Sequence, residues 1–492
     1  MPPELFGDEI DVGYQAYSLL KTGRDIYKQT LPAYVHSLSE WRAPLLVYQT
    51  VPSIALLGLN EYGVRLPEII MGVLSPLILF IFVYQHSRSK KLSFWSATAM
   101  VLMPWHIIYS RMAGFVAVTL INLIMLTVIL LKSGRHYLGI LLTVLCFYTY
   151  NTSFIFIPLL LIGLRYRPRL KAVLWGVLLL LPLAYYLFLG PVGNRFSQLS
   201  IVGSKEFVES INLGRIAHPG LLGKIVYNRY TEFIKVFSTN YLQSFSTEFL
   251  FVRGDPIYRH SVQVVGGMLP VSIVLFVLGV VYLFKEREYF WLWWLLIAPI
   301  SSALTVDGGY HATRTFLMVP ILAIILARGF LALKTQKLIW VIVSTVFVVQ
   351  FLNFAFFYTQ DFSKKSWRWW GTGYKDTLQA LQAVDSGYSR VLINNTYEPT
   401  LMRFLFWIKY NPARFQKEFV LDQPQKDILP NYDGFSLGSK YFFGKLNKSG
   451  LLPGALYLIS QRDETLNLDD VKVLYTTRNP YGTPLFHLVT KK

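Results

Sequence analysis

Long apolar runs separated by short basic connectors constrain this 492-residue chain more than any other feature. The runs lie at 64–84, 92–109, 113–131, 172–190, 266–284, 289–305, 315–333 and 338–358. Each approaches the roughly 20 residues that an α-helix needs to cross the hydrocarbon core of a bilayer. A chain patterned in this way folds as a polytopic α-helical membrane protein, and a water-soluble globule is excluded. Residues 137–164 are too long for one ordinary span, with Asn151 and Thr152 near their middle. Basic connectors flank the stretch on both sides, "KSGRH" before it and "RYRPRLK" after it. A single crossing would put one connector on the wrong side, so the stretch reads as two short helices turning at Asn151. With that pair included, the pattern predicts about ten crossings.

The net charge of +19 would suit nucleic acid if it covered a soluble surface. Instead the charges cluster in the connectors: Arg88, Lys90 and Lys91; Lys132 and Arg135; Arg165, Arg167, Arg169 and Lys171; Lys285 and Arg287; Arg328, Lys334 and Lys337. This is the positive-inside pattern, which makes the connectors cytoplasmic and removes nucleic acid as a partner. In a plasma (inner) membrane, residues 1–63, 191–265 and everything after 359 then lie on the extracytoplasmic side. No cleavable signal peptide is visible. An outside start at "MPPELFGDE" predicts a further transmembrane helix ahead of Met1. The single Cys146 lies in an apolar segment, which excludes internal disulfides and a Cys-based zinc site.

The outer segments differ in character. Residues 1–63 form a first loop in which Ile10, Tyr14, Tyr17 and Leu20 recur at helical spacing. They predict an interfacial helix that Gly23 ends. Residues 191–265 read as amphipathic helices. An aromatic and basic hinge at 359–373 precedes a small extracytoplasmic α/β domain, 374–492. Its predicted elements are a helix near 375–385, a strand at "RVLINN", a helix near 398–409, and strands at "YFFGKL", "ALYLIS" and "LFHLV".

Asp8 and Glu9 stand at the edge of the apolar part and admit two readings. In one, Asp8 is a helix N-cap with Asp11 at N3. In the other, a carboxylate beside the bilayer serves as a general base or metal ligand.

The stretch "ELFGDEIDVGYQAYSLLKTGRDIY", followed by "EWRAPLLVYQTVPSIALLGLNEYGVRLPEIIMG", resembles the N-terminal region of the GT-C glycosyltransferases. It is most like the branch of protein O-mannosyltransferases and lipid A aminoarabinose transferases. "PWHIIYSRM" at 104–112, "SFSTEFLFVRGDPIYRH" at 244–260 and "GYHATRTFLMVPILAIILARG" at 309–329 extend the resemblance over about residues 4–358. It implies a GT-C-like bundle whose first helix precedes the acidic motif. It also implies transfer of a sugar from a polyprenyl-phosphate donor to an extracytoplasmic hydroxyl of a lipid, glycan or protein, with inversion. Asp8 matches the family's base and Glu9 its companion. Arg42, Arg259, His260, His311 and Arg314 are the candidate clamps for the lipid phosphate. Arg42 stands where relatives often carry Lys.

Several relatives have a second acid in the loop after the third span, where this chain reads "SRMAGF". Asp255 or Asp307 would substitute, although Asp255 also suits an Asp-Pro turn. No cofactor is required. An adjacent Asp-Glu pair could hold Mg²⁺ or Mn²⁺ with waters, but the ligand set is incomplete. A transporter or flippase of lipid-linked sugars is the rival reading, and a non-catalytic scaffold a third. A transporter predicts ionisable groups near mid-membrane and paired half-repeats, whereas these groups gather at helix ends and no repeat is visible.

Overall fold

A computed structural model describes residues 3–38, 41–167, 169–190, 200–333, 336–395, 399–419, 425–429, 432–445, 451–461 and 468–492. Two compact units emerge, one of Met1–Arg42, Leu46–Pro67 and Thr359–Lys492, the other of Ala43–Leu45 and Glu68–Tyr358.

Every predicted apolar run carries helix. Four helices are long and apolar enough to cross a membrane: Glu61–Ser87, Leu170–Phe188, Phe316–Leu333 and Lys337–Trp370. Shorter apolar helices include Ala117–Lys132, Ser272–Lys285 and Tyr289–Ala303. The stretch 137–164 is divided as expected, into His136–Phe147 and Ser153–Gly163 with Asn151 in the turn. The run 92–109 is also divided. Helix Lys90–Val101 stops, and Pro104 opens a second helix, Pro104–Tyr109, because proline lacks the N–H needed to continue a turn but suits a first one. The run predicted from 266 begins as helix only at Ser272. Ahead of it, Gly267 N and Met268 N donate instead to Phe249 O and Leu250 O at 3.2 and 2.8 Å.

Within this second unit, Val319–Leu333 is buried almost all round and forms the centre of the bundle. It packs on Ser272–Lys285 with glycine at the crossing. A Cβ on Gly279 would strike the Ile325 carbonyl, and one on Gly329 the Leu275 carbonyl. Leu170–Phe188 and Lys337–Phe356 leave half or more of their large apolar side chains exposed, as lipid-facing helices do.

The first unit is built from both ends of the chain. Helix α1 (Gly7–Thr22) ends at Gly23, whose φ of 69° requires the left-handed conformation that glycine adopts without strain. The helix does not carry a single apolar stripe: Glu9 through Ala16 are all buried. The reason is contact on several sides with Leu401–Trp407 and Pro412–Glu418. Gly13 permits this approach, since a Cβ there would meet Phe406 and Val64 at 2.6 Å. The Tyr14 hydroxyl donates to Tyr410 O at 2.9 Å. Gln416 Nε2 lies 3.1 Å from Ser18 Oγ and 2.8 Å from Asp25 O, to which it donates. Strands β1 (Val35–His36) and β2 (Trp41–Arg42) form a short antiparallel pair.

The C-terminal segment carries a seven-stranded sheet: β3 (Arg390–Asn394), β4 (Gln425–Leu429), β5 (Tyr432–Leu437), β6 (Tyr441–Lys445), β7 (Ala455–Ser460), β8 (Val471–Arg478) and β9 (Pro484–Lys491). Their order is β4-β5-β6-β3-β7-β9-β8. β3 runs parallel to both β6 and β7, and the other pairings are antiparallel. The strands foreseen from sequence, β3, β6, β7 and β9, form the centre, where both faces are covered and apolar runs are dense. β4, β5 and β8 were not foreseen; β8 lies at the edge and exposes four of its eight residues.

Candidate functional site

The acidic motif caps its helix, but not through Asp8. Phe6 is the N-cap of α1, in extended conformation, so Asp8 falls at N2 and Glu9 at N3. The N-cap reading of Asp8, with Asp11 at N3, is thereby corrected. Glu9 takes the capping role, its Oε2 accepting the Phe6 N–H at 3.3 Å. Glu9 is fully buried, and Arg65 grips it from both sides: Nε to Oε1 and Nη2 to Oε2, each at 2.8 Å. Arg65 Nη2 also donates to Glu4 O at 2.7 Å, and its guanidinium lies 5.8 Å from the Trp370 ring. Both oxygens of Glu9 are thus engaged in holding the chain.

Asp8 and Asp11, three residues apart, share one face of α1 and meet Arg42 from β2. Arg42 Nη2 lies 3.1 Å from Asp8 Oδ1, and Nε 2.9 Å from Asp11 Oδ2. The Asp11 side chain is 6% exposed and that of Asp8 38%. Of the three carboxylates on this part of α1, Asp8 is the one that reaches solvent. Beside Arg42, His36 stacks on Trp41 at 4.3 Å between ring centroids, with the tilted Tyr27 ring 4.1 Å away. Glu4 lies just ahead of α1. Burial pushes its carboxyl up to about 7, although the N–H groups of Gly373 (2.6 Å) and Lys375 (3.3 Å) both donate to it. Arg403 Nη1 donates to the next carbonyl, Leu5 O, at 3.0 Å.

The remaining predicted residues belong to the second unit, on the loops 253–261 and 305–315. Asp255 is buried and accepts two backbone N–H groups at 2.9 Å, Ile257 on Oδ1 and Ala312 on Oδ2. It forms the Asp-Pro turn and ties the two loops together. Burial raises its carboxyl to about 6. His260 Nδ1 lies 3.2 Å from the Tyr109 hydroxyl and 3.0 Å from Thr313 Oγ1, which are themselves 2.8 Å apart. Its ring is 4.7 Å from Phe115 and 5.4 Å from His311.

Burial, then the neighbouring His311, Arg259 and Arg314, beside which a further positive charge is unfavourable, hold His260 well below the usual imidazole range. Burial and Arg314 bring His311 down to about 3. Both rings are therefore neutral at pH 7. No described residue hydrogen-bonds the buried Nδ1 of His311. Arg314 Nη1 meets Asp307 Oδ1 at 2.5 Å and Thr305 Oγ1 at 2.6 Å. Burial pushes Asp307 up, but Arg314 outweighs it and leaves the carboxyl below its ordinary range. Arg259 is half-buried next to His260.

Asp8, Glu9 and Arg42 thus come together within one unit, and Arg259, His260, His311, Arg314, Asp255 and Asp307 within the other. From the sequence, Asp11 reads only as a capping residue and Arg65 only as an anchor for the start of its helix, and Tyr109 and Thr313 are not among the candidates. Asp11 carried a usable signal, its i+3 spacing from Asp8; Tyr109 and Thr313 lie inside "PWHIIYSRM" and "GYHATRT". Among the described residues, no group of three or more His, Cys, Asp or Glu side chains is arranged to hold a metal ion.

No protein-family model matches the chain, and no curated protein sequence matches it. Solved structures similar to it include the archaeal oligosaccharyltransferase AglB from Archaeoglobus fulgidus, in complex with an inhibitory peptide and a dolichol-phosphate. That match has 11% identity and a TM-score of 0.44, covering 82% of this chain and 60% of that one. The chain therefore spans less than two thirds of the oligosaccharyltransferase. ArnT from Cupriavidus metallidurans bound to undecaprenyl phosphate matches at 11% identity and a TM-score of 0.46, covering 99% of this chain and 94% of its own. ArnT in the apo state gives 12% identity, a TM-score of 0.45 and the same coverage.

Proposed function

We propose that this chain is an integral-membrane glycosyltransferase of GT-C type. It moves a sugar from a polyprenyl-phosphate donor to an acceptor hydroxyl on the extracytoplasmic side, with inversion. One observation carries the reading: Asp8 alone among the α1 carboxylates is half-exposed, while Arg42 fixes it and Arg65 fixes its neighbour Glu9. A carboxylate that is oriented but accessible is what a general base requires. In the reaction, Asp8 takes the proton of the acceptor hydroxyl as its oxygen attacks the anomeric carbon. The bond from that carbon to the phosphate oxygen breaks, and the lipid phosphate departs with the electron pair.

Negative charge grows on that phosphate, so its partners must be donors. We assign this role to Arg259, His260, His311 and Arg314. The two imidazoles are neutral when no anion is near, and a phosphate beside them would raise their affinity for protons. Arg42 is reassigned from phosphate clamp to holder of the base. Glu9 becomes a positioning residue, and Asp255 a loop brace in place of a second acid.

The test is transfer from a radiolabelled polyprenyl-phosphate sugar by the purified Asp8→Asn variant, with thermal unfolding followed in parallel. Product formation should disappear while the melting temperature stays within a few degrees of the parent. Undiminished transfer by that variant overturns the assignment. Movement of labelled lipid across vesicles with no glycosidic product would favour a flippase.

A further inference from the structure

Helices Lys205–Ala217, Leu221–Val226 and Arg229–Gln243 form a hairpin whose two ends have opposite character. Its base is an ordinary core, with Ile201, Phe207 and Ile211 buried against Phe233, Val236 and Phe237. The base is bonded to the loop that leads to His311. Asn240 Nδ2 donates to Thr305 O at 2.8 Å, and Ile201 N to Leu304 O at 3.1 Å.

The tip is apolar and bare. Leu213, Ile216, Leu221, Leu222, Ile225 and Tyr230 are between 57% and 82% exposed. It is nonetheless a built structure. Arg215 Nε donates to Tyr227 O at 2.7 Å, His218 stacks on the Tyr227 ring, and the Asn228 side chain caps the following helix. From Ser210 to Thr231 the chain contains Arg215, Lys224 and Arg229 and no Asp or Glu.

An ordered surface that keeps six large apolar side chains in water forgoes the free energy that burying them would release. Apolar residues interleaved with cations and free of carboxylates suit acyl chains beneath anionic headgroups. We propose that this tip is immersed in the bilayer leaflet beside the bundle, its apolar side chains among acyl chains and Lys224 and Arg229 on lipid phosphates. The occupant is the anionic lipid surface itself. The contact holds the loop after Ala303, through the hairpin base, at headgroup height. This inference stands whether or not the chain transfers sugar.

The experiment uses the full chain carrying Cys146→Ala, reconstituted into nanodiscs containing phosphatidylglycerol. Leu222→Cys is labelled with an environment-sensitive nitrobenzoxadiazole probe, and lipids doxyl-labelled high on the acyl chain serve as quencher. Fluorescence at 222 should fall at least twofold, while Glu206→Cys, exposed at the base end of the hairpin, should change little. Lys224→Glu with Arg229→Glu should reduce the quenching at 222, and exchanging phosphatidylglycerol for phosphatidylcholine should do the same. Ile225→Cys provides a second tip position if the first variant misfolds. Quenching at 222 no greater than at 206 overturns the proposal. So does protection of 222 that appears only with two copies per disc or with an added protein, since the tip would then be a protein interface.

Discussion

Arg65 holds both oxygens of Glu9 at 2.8 Å in a pair whose carboxylate is wholly buried. Removing one partner strands the other in a dry site, which costs about 3–5 kcal/mol. Glu9→Ala should therefore lower the melting temperature strongly and take activity with it. Arg65→Lys keeps the charge but loses the two-pronged grip, and it should also destabilise. Thermal unfolding of the purified variants checks both. A stable but inactive Glu9→Ala would show that Glu9 acts in the chemistry.

Arg42 reaches Asp8 and Asp11 with different nitrogens. Lysine has a single charged nitrogen and cannot keep both contacts; the buried Asp11 holds it more strongly than the part-exposed Asp8, so the Asp8 contact is the one lost. Since Asp8 is part-exposed, its pair with Arg42 is worth about 1 kcal/mol or less. Arg42→Lys should leave unfolding almost unchanged and reduce kcat at least tenfold, because the base loses its orientation. If KM for the lipid donor rises instead, with kcat intact, Arg42 binds phosphate.

Glu4 supplies a dependence on pH. Burial raises its folded-state value from 4.5 to about 7, so the folded state favours the protonated acid. The associated stability is complete below about pH 4.5 and is lost as pH rises through about 7, a change of roughly 3 kcal/mol. Glu4→Gln cannot ionise and should flatten the melting temperature across that window. An unchanged slope in the variant would remove Glu4 as its source.

The Tyr109 hydroxyl bonds both His260 and Thr313. Tyr109→Phe leaves those two partners facing one another at 3.0 Å, so part of the network survives. A loss of about 1–2 kcal/mol of stability is expected, read from chemical denaturation.

How much of this was legible in the sequence depended on the range of the interactions. The apolar helices were, because period and length are local properties, and so was the turn at Asn151, fixed by the basic residues on either side. The start of α1 was misplaced by two residues. Asp8 is a good capping residue type, but Arg65, 56 residues away from Glu9, draws Glu9 to N3 and leaves Phe6 as the cap. Asp255 carried both its readings in the sequence, and only the N–H of Ala312, from a distant loop, distinguishes a brace from an acid. β8 escaped notice because an edge strand alternates weakly, and β4 and β5 because "QKDIL" and "YDGFSL" lack a sustained apolar period.

The bond from Tyr14 to Tyr410 joins residues 396 positions apart. It sets an order of events during synthesis. The helix bearing Asp8 leaves the ribosome early, yet the helices that enclose it, Leu401–Trp407 and Pro412–Glu418, are made only after the whole bundle. Contacts of such long sequence separation form slowly. Until they close, the amino-terminal helix has only its early partners, Arg42, Val64 and Arg65, so a chain arrested before residue 401 carries its acidic residues with their cations but without the helices that enclose them.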